Sequence, residues 1–526
     1  MIPLGERLVH GKATGFYGWK GEAKVRMLLV KGGQDVPYGR FGRDHHGDSV
    51  GVLAGGGGTE EEHLDFHAGV YGLGADAVSG ARMSFRGQPF AFESPTAAVA
   101  DFIRRAGADS PARSNEVAGL DQSAGRILAE DILADRDSPA FDYSAMDGYA
   151  VCAADLGTPS GSGAGSTETG VTLPVVAESR IGERPPAVLD GSGRPAAVRI
   201  ATGAPIPPGA DRVVRREDVT EHATRGAGEI TSIRLTPQAA GRIRRGDHIR
   251  RRGENASVGA VVLHRGEVIT AAALATLAAV GITRPTVFAR LRIAVITTGD
   301  ELIEPDQVPS AFQLRNSNAP AVRAILASHA WVNVTQVSHI RDDEDLGSAL
   351  EHACEVADAV VLTGGVSMGH RDRVRTAVEQ AGAEIVFHGL PQRPGKPMLG
   401  AVLNRAGTEN ARSVPIFGLP GNPVSALVTC TRIVLPVFAA CSGARRTPAE
   451  CLPRLITLAN QDGRTLDLWW HRLVRLGVDE SGQPWAELID GRGSGDIVAA
   501  GLSDGFIELP PSAFPAIVPF YAWPAS

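Results

Sequence analysis

Acidic and glycine-rich loops follow three strand-like segments in the C-terminal half of this 526-residue chain. In open α/β sheets, ligands bind just outside the carboxyl ends of the strands. We therefore expect the loops to converge on one edge of a sheet. They comprise residues 298–301 (TGDE), residues 363–369 (TGGVSMG) with Asp372 just beyond, and residues 418–423 (GLPGNP).

These loops combine the features of an anion site with those of a metal site. Glycines let backbone N–H groups approach an anion, and helix starts add partial positive charge, so a phosphorylated ligand fits. Clustered carboxylates would repel that ligand unless a hard cation such as Mg²⁺ bridged them. The pattern thus indicates metal-assisted phosphate chemistry, although each loop alone also fits a plain turn, strand exit or helix cap. The carboxylates in question are Asp300, Glu301, Asp342 and Asp372.

Alternating strand-like and helical patterns after residue 291 predict the domain that positions these loops. Their rhythm is typical of βαβ units in a doubly wound, mainly parallel sheet with helices on both faces. Asn422 could cap the last helix, with Pro423 at its first position. We predict strands at 293–297, 332–340, 359–363, 385–387 and 414–417, and helices at 321–328, 345–357, 373–381 and 424–440.

The rest of the chain predicts further domains around this one, giving an α/β multidomain protein. Helical periodicity at 96–106 and 116–130 predicts two helices, whereas short alternating segments predict a β-rich lobe and a small C-terminal β-barrel. The glycine-rich start of the chain is predicted to be disordered. The predicted parts are an extension of unknown role (1–91), a helical linking domain (92–140 and 240–290), the lobe (141–239), the α/β domain (291–445) and the barrel (446–526).

Charge and composition exclude some classes of function. With 52 Lys and Arg against 59 Asp and Glu, the formal charge is −7, which argues against nucleic acid as a partner. Five dispersed cysteines without a Cys-x-x-Cys pair fit a reducing cytoplasm. The longest apolar stretch identified, 271–282, is too short to cross a membrane.

Several motifs in fixed order resemble the molybdopterin molybdenumtransferase family, which includes bacterial MoeA proteins and the gephyrin E domain. The resemblance covers residues 92–523 and implies a central α/β domain similar to molybdopterin adenylyltransferases. The motifs are FDYSAMDGYAV (141–151), ATGAPIPPGAD (201–211), IRRRGEN (249–255), TTGDEL (297–302), TGGVSMGHRD (363–372), RPGKPM (393–398) and GLPGNPVSAL (418–427).

The resemblance implies Mg²⁺-dependent insertion of molybdate into adenylylated molybdopterin, with release of AMP. It places Asp300, Glu301, Asp342 and Asp372 at the metal and the reacting phosphate. It places Asp147 and Thr202 on a lobe that reaches the α/β domain of a second copy in a homodimer. The implied substrate contacts are Ser144, Arg251, Gly364, Gly365, Ser367, Lys396, Pro420, Asn422 and Pro423.

The resemblance also implies partners, namely a molybdopterin adenylyltransferase and apo-molybdoenzymes. Two positions depart from the family pattern, Asn255 in place of Asp and His388 in place of Lys. The sequence also fits two rival hypotheses. The chain could be a molybdopterin adenylyltransferase, for which the lobe and barrel would be superfluous, or a non-catalytic scaffold with this fold.

Overall fold

The computed structural model describes residues 30–31, 34–35, 84–85, 88–108, 114–152, 170–188, 193–223, 229–366, 372–405 and 412–524. The chain divides into two compact units, Met1–Ala81 and Arg82–Ser526. In the first unit, β1 (Val30–Lys31) pairs antiparallel with β2 (Gln34–Asp35). The disorder expected near the start of the chain, like the role of that extension, lies outside the described residues.

The N-terminal half of the second unit contains mostly short strands. In chain order its elements are β3 (Ser84–Phe85), β4 (Gln88–Pro89), α1 (Pro95–Ala108), β5 (Asn115–Val117), β6 (Ile132–Leu133), β7 (Tyr143–Ser144), β8 (Gly148–Val151), β9 (Val171–Ser179), β10 (Ala197–Ile200), β11 (Arg212–Arg215), β12 (Thr220–Ala223), β13 (Ile230–Leu235), α2 (Pro237–Arg242), β14 (Ile249–Arg250), β15 (Val261–Leu263), α3 (Ala271–Ala279) and β16 (Thr286–Phe288).

The C-terminal half contains the longer elements. They are β17 (Leu291–Thr298), β18 (Leu302–Ile303), β19 (Leu314–Arg315), α4 (Asn318–Ala327), β20 (Val332–Ile340), α5 (Leu346–Val356), β21 (Ala359–Thr363), α6 (Arg373–Gln380), β22 (Glu384–His388), β23 (Gln392–Arg393), β24 (Leu399–Arg405), β25 (Arg412–Leu419), α7 (Pro423–Thr429), α8 (Leu435–Cys441), β26 (Arg454–Leu458), β27 (Trp469–Val478), β28 (Pro484–Leu488), α9 (Ile497–Gly501), β29 (Gly505–Leu509) and β30 (Ile517–Ala522).

The β-rich lobe is one six-stranded sheet with the order β11-β8-β10-β9-β13-β12. Alternating apolar residues put Tyr149, Val214 and Ile233 into a buried core on one face. Val198 and Val213 fill a second cluster on the other face. All six strands lie within residues 141–239, where short alternating segments predicted a β-rich lobe.

The prediction of a helix at 116–130 is wrong. This segment instead forms β5, a short 3₁₀ turn and isolated bridges, and its N–H groups donate across the linking region. Ala118 N–H donates to the carbonyl of Pro285 at 3.2 Å, and Leu128 N–H to that of Glu267 at 3.0 Å. Gly125 has φ +71°, which interrupts a helical path. Apolar spacing in this segment therefore reflects packing between short strands and α3.

The α/β domain contains a six-stranded sheet with the order β20-β17-β21-β25-β24-β22. The first four strands and β22 all run in one direction, and β24, between β25 and β22, runs antiparallel to its two neighbours. Helices α5 and α6 pack on one face, while α1, α4, α7 and α8 pack on the other. The prediction of a doubly wound α/β domain is confirmed.

Helices α7 and α8 form one continuous 19-residue helix, Pro423–Cys441, through a π-helical turn at Cys430–Val434. Its apolar 18-residue window has a mean hydropathy of 1.9, and 89% of it is buried within the protein. It is longer than the apolar stretch 271–282. Such burial is typical of a core helix, and this one joins the sheet to the C-terminal domain.

The C-terminal domain is a closed barrel of five strands. Going round it, β26 pairs with β30, β30 with β29, β29 with β27, β27 with β28, and β28 with β26. The predicted small barrel is therefore confirmed. Inside the joint between barrel and helix, Arg432 Nε donates to Glu508 Oε2 at 2.7 Å, and His471 Nε2 lies 3.0 Å from the same oxygen.

Candidate functional site

The strand register brings all the expected loops to the carboxyl edge of the α/β sheet, called the rim below. Each pairing sets the end of one strand beside the end or start of the next, so that the loops leave the sheet together. The paired positions are Ile340 with Thr298, Thr297 with Thr363, Thr363 with Leu419, Gly418 with Leu399, and Leu399 with His388. The rim therefore carries residues 298–301, 340–345, 388–398 and 420–423, together with Gly364, Gly365 and Asp372.

Glycine is required at the turn after β21. Gly364 has φ +88°, and a Cβ there would lie 2.4 Å from the carbonyl oxygen of Thr298. Gly365 follows with φ +64°. The Gly421 loop is also close, since a Cβ on Gly421 would lie 3.5 Å from the Cα of Gly364. The backbones of three strand exits thus approach one another closely, as a glycine-lined cradle for an anion needs. Ser367 lies outside the described residues.

Asp300 and Asp342 lie side by side on the rim. The Asp342 N–H donates to Asp300 Oδ1 at 2.8 Å. Arg373 Nη1 donates to Asp342 Oδ1, also at 2.8 Å, and the Arg341 guanidinium lies 4.0 Å from Asp300 Oδ1. Both carboxylates are about half exposed, so they face solvent between two arginines.

Asp372 and Glu301 are arranged differently from this pair. Asp372 is 8% exposed; its Oδ1 accepts from the Arg375 N–H at 3.1 Å, which caps α6, and its Oδ2 lies 3.2 Å from His388 Nε2. The exposed Glu301 folds back toward Gly299. Among the described residues, no group of three or more His, Cys, Asp or Glu is placed to hold a metal ion. The four expected carboxylates share the rim, but they do not form one cluster.

Two buried asparagines at the start of α4, Asn316 and Asn318, connect the rim loops, and neither was predicted from the sequence. Asn318, 8% exposed, donates through Nδ2 to the carbonyl oxygen of Gly421 at 2.8 Å and approaches Thr363 Oγ1 at 3.4 Å. Asn316 Nδ2 donates to Thr297 Oγ1 at 2.8 Å. The signal in the sequence was an Asn-Ser-Asn triplet at the start of a helix, which by itself indicates a cap.

The C-terminal domain adds a loop to the rim that was also missed. Ser494 Oγ accepts from Asn422 Nδ2 at 2.8 Å, and the Ser494 carbonyl accepts from the Val424 N–H at 3.0 Å. Asn422 occupies the cap position of α7, but its side chain does not make the capping bond that was expected. It ties the glycine-rich segment 491–495 to the rim instead.

Three further expected contacts lie in the loops that border the rim. Pro420 is buried, and Pro423 is half-buried at the first turn of α7. Lys396 is half-buried in the 388–398 loop, with its ammonium 5.6 Å from the centre of the Phe90 ring. These positions are consistent with shaping one side of a pocket.

Asp147 and Thr202 form a second, exposed group on the β-rich lobe. Asp147 Oδ1 accepts from the Thr202 N–H at 2.7 Å and from its hydroxyl at 3.0 Å. These two hydrogen bonds hold the pKa of Asp147 below its usual value. The carboxylate is therefore ionised at neutral pH and fixed in direction.

Ser144 and Arg251 bond to the loops around Asp147 and not to Asp147 or Thr202 themselves. Ser144 is fully buried, and its hydroxyl donates to the carbonyl of Met146 at 2.5 Å. The expected contact between Ser144 and substrate stays a prediction. Arg251 Nη1 donates to Asp142 Oδ2 at 2.7 Å, joining the 249–255 and 141–151 segments. At the nearby departure from the family pattern, Asn255 Oδ1 accepts from Arg250 Nη2 at 3.2 Å.

Comparison with family models gives two matches along the chain. Residues 94–281 match the MoeA N-terminal region (domain I and II). Residues 294–440 match the model described as a probable molybdopterin binding domain. The rim lies in the second range, apart from the Ser494 loop, and the Asp147–Thr202 pair lies in the first.

Curated relatives and solved structures agree with these models. The chain is 33% identical to a molybdopterin molybdenumtransferase of Synechococcus elongatus over 69% of this chain and 82% of the relative. It is 35% identical to one from Haemophilus influenzae over 63% of this chain and 74% of the relative. A molybdopterin biosynthesis MoeA protein from Pyrococcus horikoshii has a TM-score of 0.57 at 27% identity, covering 82% of this chain and 99% of that one.

Proposed function

Because the chain belongs to the molybdopterin molybdenumtransferase family, enzymes of molybdenum cofactor biosynthesis, we propose that it inserts molybdate into adenylylated molybdopterin and releases AMP. The reaction takes place at the rim of the α/β domain. One observation carries this assignment. The backbone turn at Gly364, packed against Thr298, adjoins a pair of exposed carboxylates, Asp300 and Asp342.

The glycine cradle suits the phosphate-bearing end of the substrate. Backbone N–H groups at such a turn bind anions without a bulky side chain in the way. Arg341 and Arg373 flank the acidic pair, and the exposed guanidinium group of Arg341 can face phosphate oxygens. These residues bind and orient the substrate, so the geometry supplies positioning and charge complementarity without a protein nucleophile.

The acidic pair fits a divalent cation. Mg²⁺ is commonly bound in proteins by one or two carboxylates together with waters and substrate phosphates. Asp300 and Asp342 provide adjacent exposed carboxylates, and Glu301 is the next residue in the loop. When bound there, Mg²⁺ would neutralise the charge of the pyrophosphate. Asp372 is buried against His388 and caps α6, so its role is to position the start of α6 at the rim.

The lobe completes the site of a second copy in a homodimer. Asp147 and Thr202 are exposed and fixed by their mutual hydrogen bonds, as groups awaiting a partner surface would be. The loop after the acidic pair exposes apolar side chains, with Phe312 91% and Val308 88% accessible. Exposed apolar residues of this size beside a reactive loop are typical of a protein interface.

The proposed homodimer acts in the cytoplasm, between an enzyme that supplies its substrate and enzymes that receive its product. Adenylylated molybdopterin arrives from a molybdopterin adenylyltransferase, and the finished cofactor passes to apo-molybdoenzymes. The adenylyltransferase hypothesis for this chain itself is not favoured, because the matched N-terminal region and the barrel lie outside the domain that such an activity needs.

Reconstitution tests the assignment and the dimer together. Purified protein is incubated with adenylylated molybdopterin, molybdate and Mg²⁺, and recovery of an apo-molybdoenzyme is followed. We expect recovery with wild type, little with Asp147→Asn or Asp300→Asn alone, and partial recovery when these two variants are mixed and allowed to exchange subunits. Mixed subunits that stay inactive, while each variant remains folded, would contradict a shared site.

A further inference from the structure

A cavity of about 510 Å³ lies at the opposite edge of the α/β sheet from the rim. Its wall includes Arg292 and Asn333, which are paired in register near the amino ends of β17 and β20. The other side comes from the linking region, including Glu116 on β5 and Arg290 just after β16. None of these residues belongs to the rim or to the lobe group.

Two of the arginines in this wall are held in fixed directions. Arg126 is 3% exposed, donates through Nη2 to the carbonyl of Phe288 at 2.8 Å and also pairs with Glu116. Its Nε is buried without an acceptor among the described residues. Arg292 is fixed by Nε and Nη2, which donate to Asp358 at 3.2 and 2.8 Å.

The third arginine, Arg290, is exposed and has no ion-pair partner in the described part of the chain. The lining thus contains three guanidinium groups and one carboxylate, Glu116, which already pairs with Arg126. Two neutral amides, on Gln122 and Asn333, complete the polar wall. Since Arg126 pairs with Glu116 and Arg292 with Asp358, the positive excess comes from Arg290. This excess favours an anion, and guanidinium groups match the oxygens of phosphate particularly well.

We propose that this cavity binds the phosphate group of a small molecule. Its volume falls in the range of about 300–1,000 Å³ that is usual for small-molecule sites. The room beyond the arginines can hold the organic part of a phosphomonoester against Gln122 and Asn333. The bound ligand would bridge the linking region and the sheet, and it would therefore stabilise the folded protein. This proposal does not depend on the reaction assigned to the rim.

Thermal unfolding of the full chain with inorganic phosphate, AMP or adenosine tests the proposal. A ligand that binds only the folded state raises the melting temperature as its concentration exceeds Kd. Sodium chloride at equal ionic strength serves as the control for general salt effects. We expect saturable stabilisation by phosphate and AMP and none by adenosine. Tighter binding of AMP would identify a phosphomonoester as the ligand, and equal binding would identify phosphate itself.

Arg290→Ala distinguishes phosphate binding in this cavity from phosphate binding at the rim, where the proposed function also places a phosphate. Because Arg290 is exposed, its replacement leaves folding intact, and we expect roughly tenfold weaker phosphate binding. The matched control is Arg284→Ala, an exposed arginine outside the lining, which should bind like wild type. Equal affinity in all three proteins, or stabilisation that follows ionic strength alone, would overturn the proposal.

Discussion

Replacing Gly364 with alanine tests the glycine cradle, because the structure predicts two separate costs. The residue has φ +88°, where an L side chain costs roughly 1–2 kcal/mol. The new Cβ would also lie 2.4 Å from the carbonyl oxygen of Thr298, and relieving such overpacking costs roughly 1–3 kcal/mol more. We therefore expect G364A to lower the free energy of unfolding by about 2–5 kcal/mol.

Gly382→Ala is the matched control in the same domain. Gly382 also has positive φ, +75°, but a Cβ there would meet nothing within 4 Å. Both substitutions restrict the unfolded chain equally, so that contribution cancels between them. The difference in unfolding free energy between the two variants then isolates the contact with Thr298.

The assays are urea denaturation and the rate of molybdenum insertion. A displacement of about 1 Å at a binding cradle can reduce a rate about 100-fold. We expect this loss for G364A at a urea concentration and temperature where it is folded, and nearly normal turnover for G382A. Equal stability and equal turnover for the two variants would refute the close approach of the strand exits at Gly364.

Three other substitutions test the remaining parts of the structure. Asn318→Ala removes the donor to the Gly421 carbonyl and should lower the free energy of unfolding in urea by about 1–3 kcal/mol. It should also raise KM for the pterin substrate. An unchanged KM would contradict a role for Asn318 in fixing the Gly421 loop. Thr202→Val removes one of the two hydrogen bonds that lower the pKa of Asp147, so this pKa should rise. On acidification, the variant should then lose activity at a higher pH than wild type does. An unshifted pH–rate profile would exclude Asp147 as the ionised group. Arg432→Met leaves the buried Glu508 carboxylate without its ion-pair partner and should lower the free energy of unfolding by roughly 3–5 kcal/mol at pH 7. Adding E508Q should restore part of this loss. Additive losses in the double variant would contradict a direct pair.

The pH dependence of the pair between Glu508 and Arg432 follows from the direction of its pKa shift. Burial alone raises the pKa of Glu508, but the charge of Arg432 and the hydrogen bond from His471 outweigh burial and bring the pKa well below its usual value. The pair therefore stabilises the fold above the unfolded pKa, about 4.3. This contribution is lost as pH falls through the folded value. Unfolding profiles of wild type and E508Q should converge at acid pH.

The rim could be predicted from sequence because parallel strands end at one edge. Loops that follow strands such as 293–297 and 359–363 must therefore lie close together, whatever the details of packing. Residues 298–301 and the glycines after β21 are there. The barrel and the lobe could also be predicted, since short alternating segments between turn residues are typical of β-strands in small sheets and barrels.

What the sequence did not reveal depends on pairings between distant segments. Asn318 is 103 residues from Gly421, and Ser494 is 72 residues from Asn422, so neither contact leaves a local pattern. The burial of Ser144 follows from its pairing with Ile249 across β7 and β14. The helix at 116–130 failed for the same reason, because cross-strand hydrogen bonds replaced local ones.

The most direct test of the proposed reaction is single-turnover release of AMP from adenylylated molybdopterin by the purified protein. We predict that release requires both molybdate and Mg²⁺ and matches, mole for mole, the molybdenum transferred to the pterin. Release of AMP without molybdate, or consumption of ATP in place of AMP release, would contradict the proposed reaction.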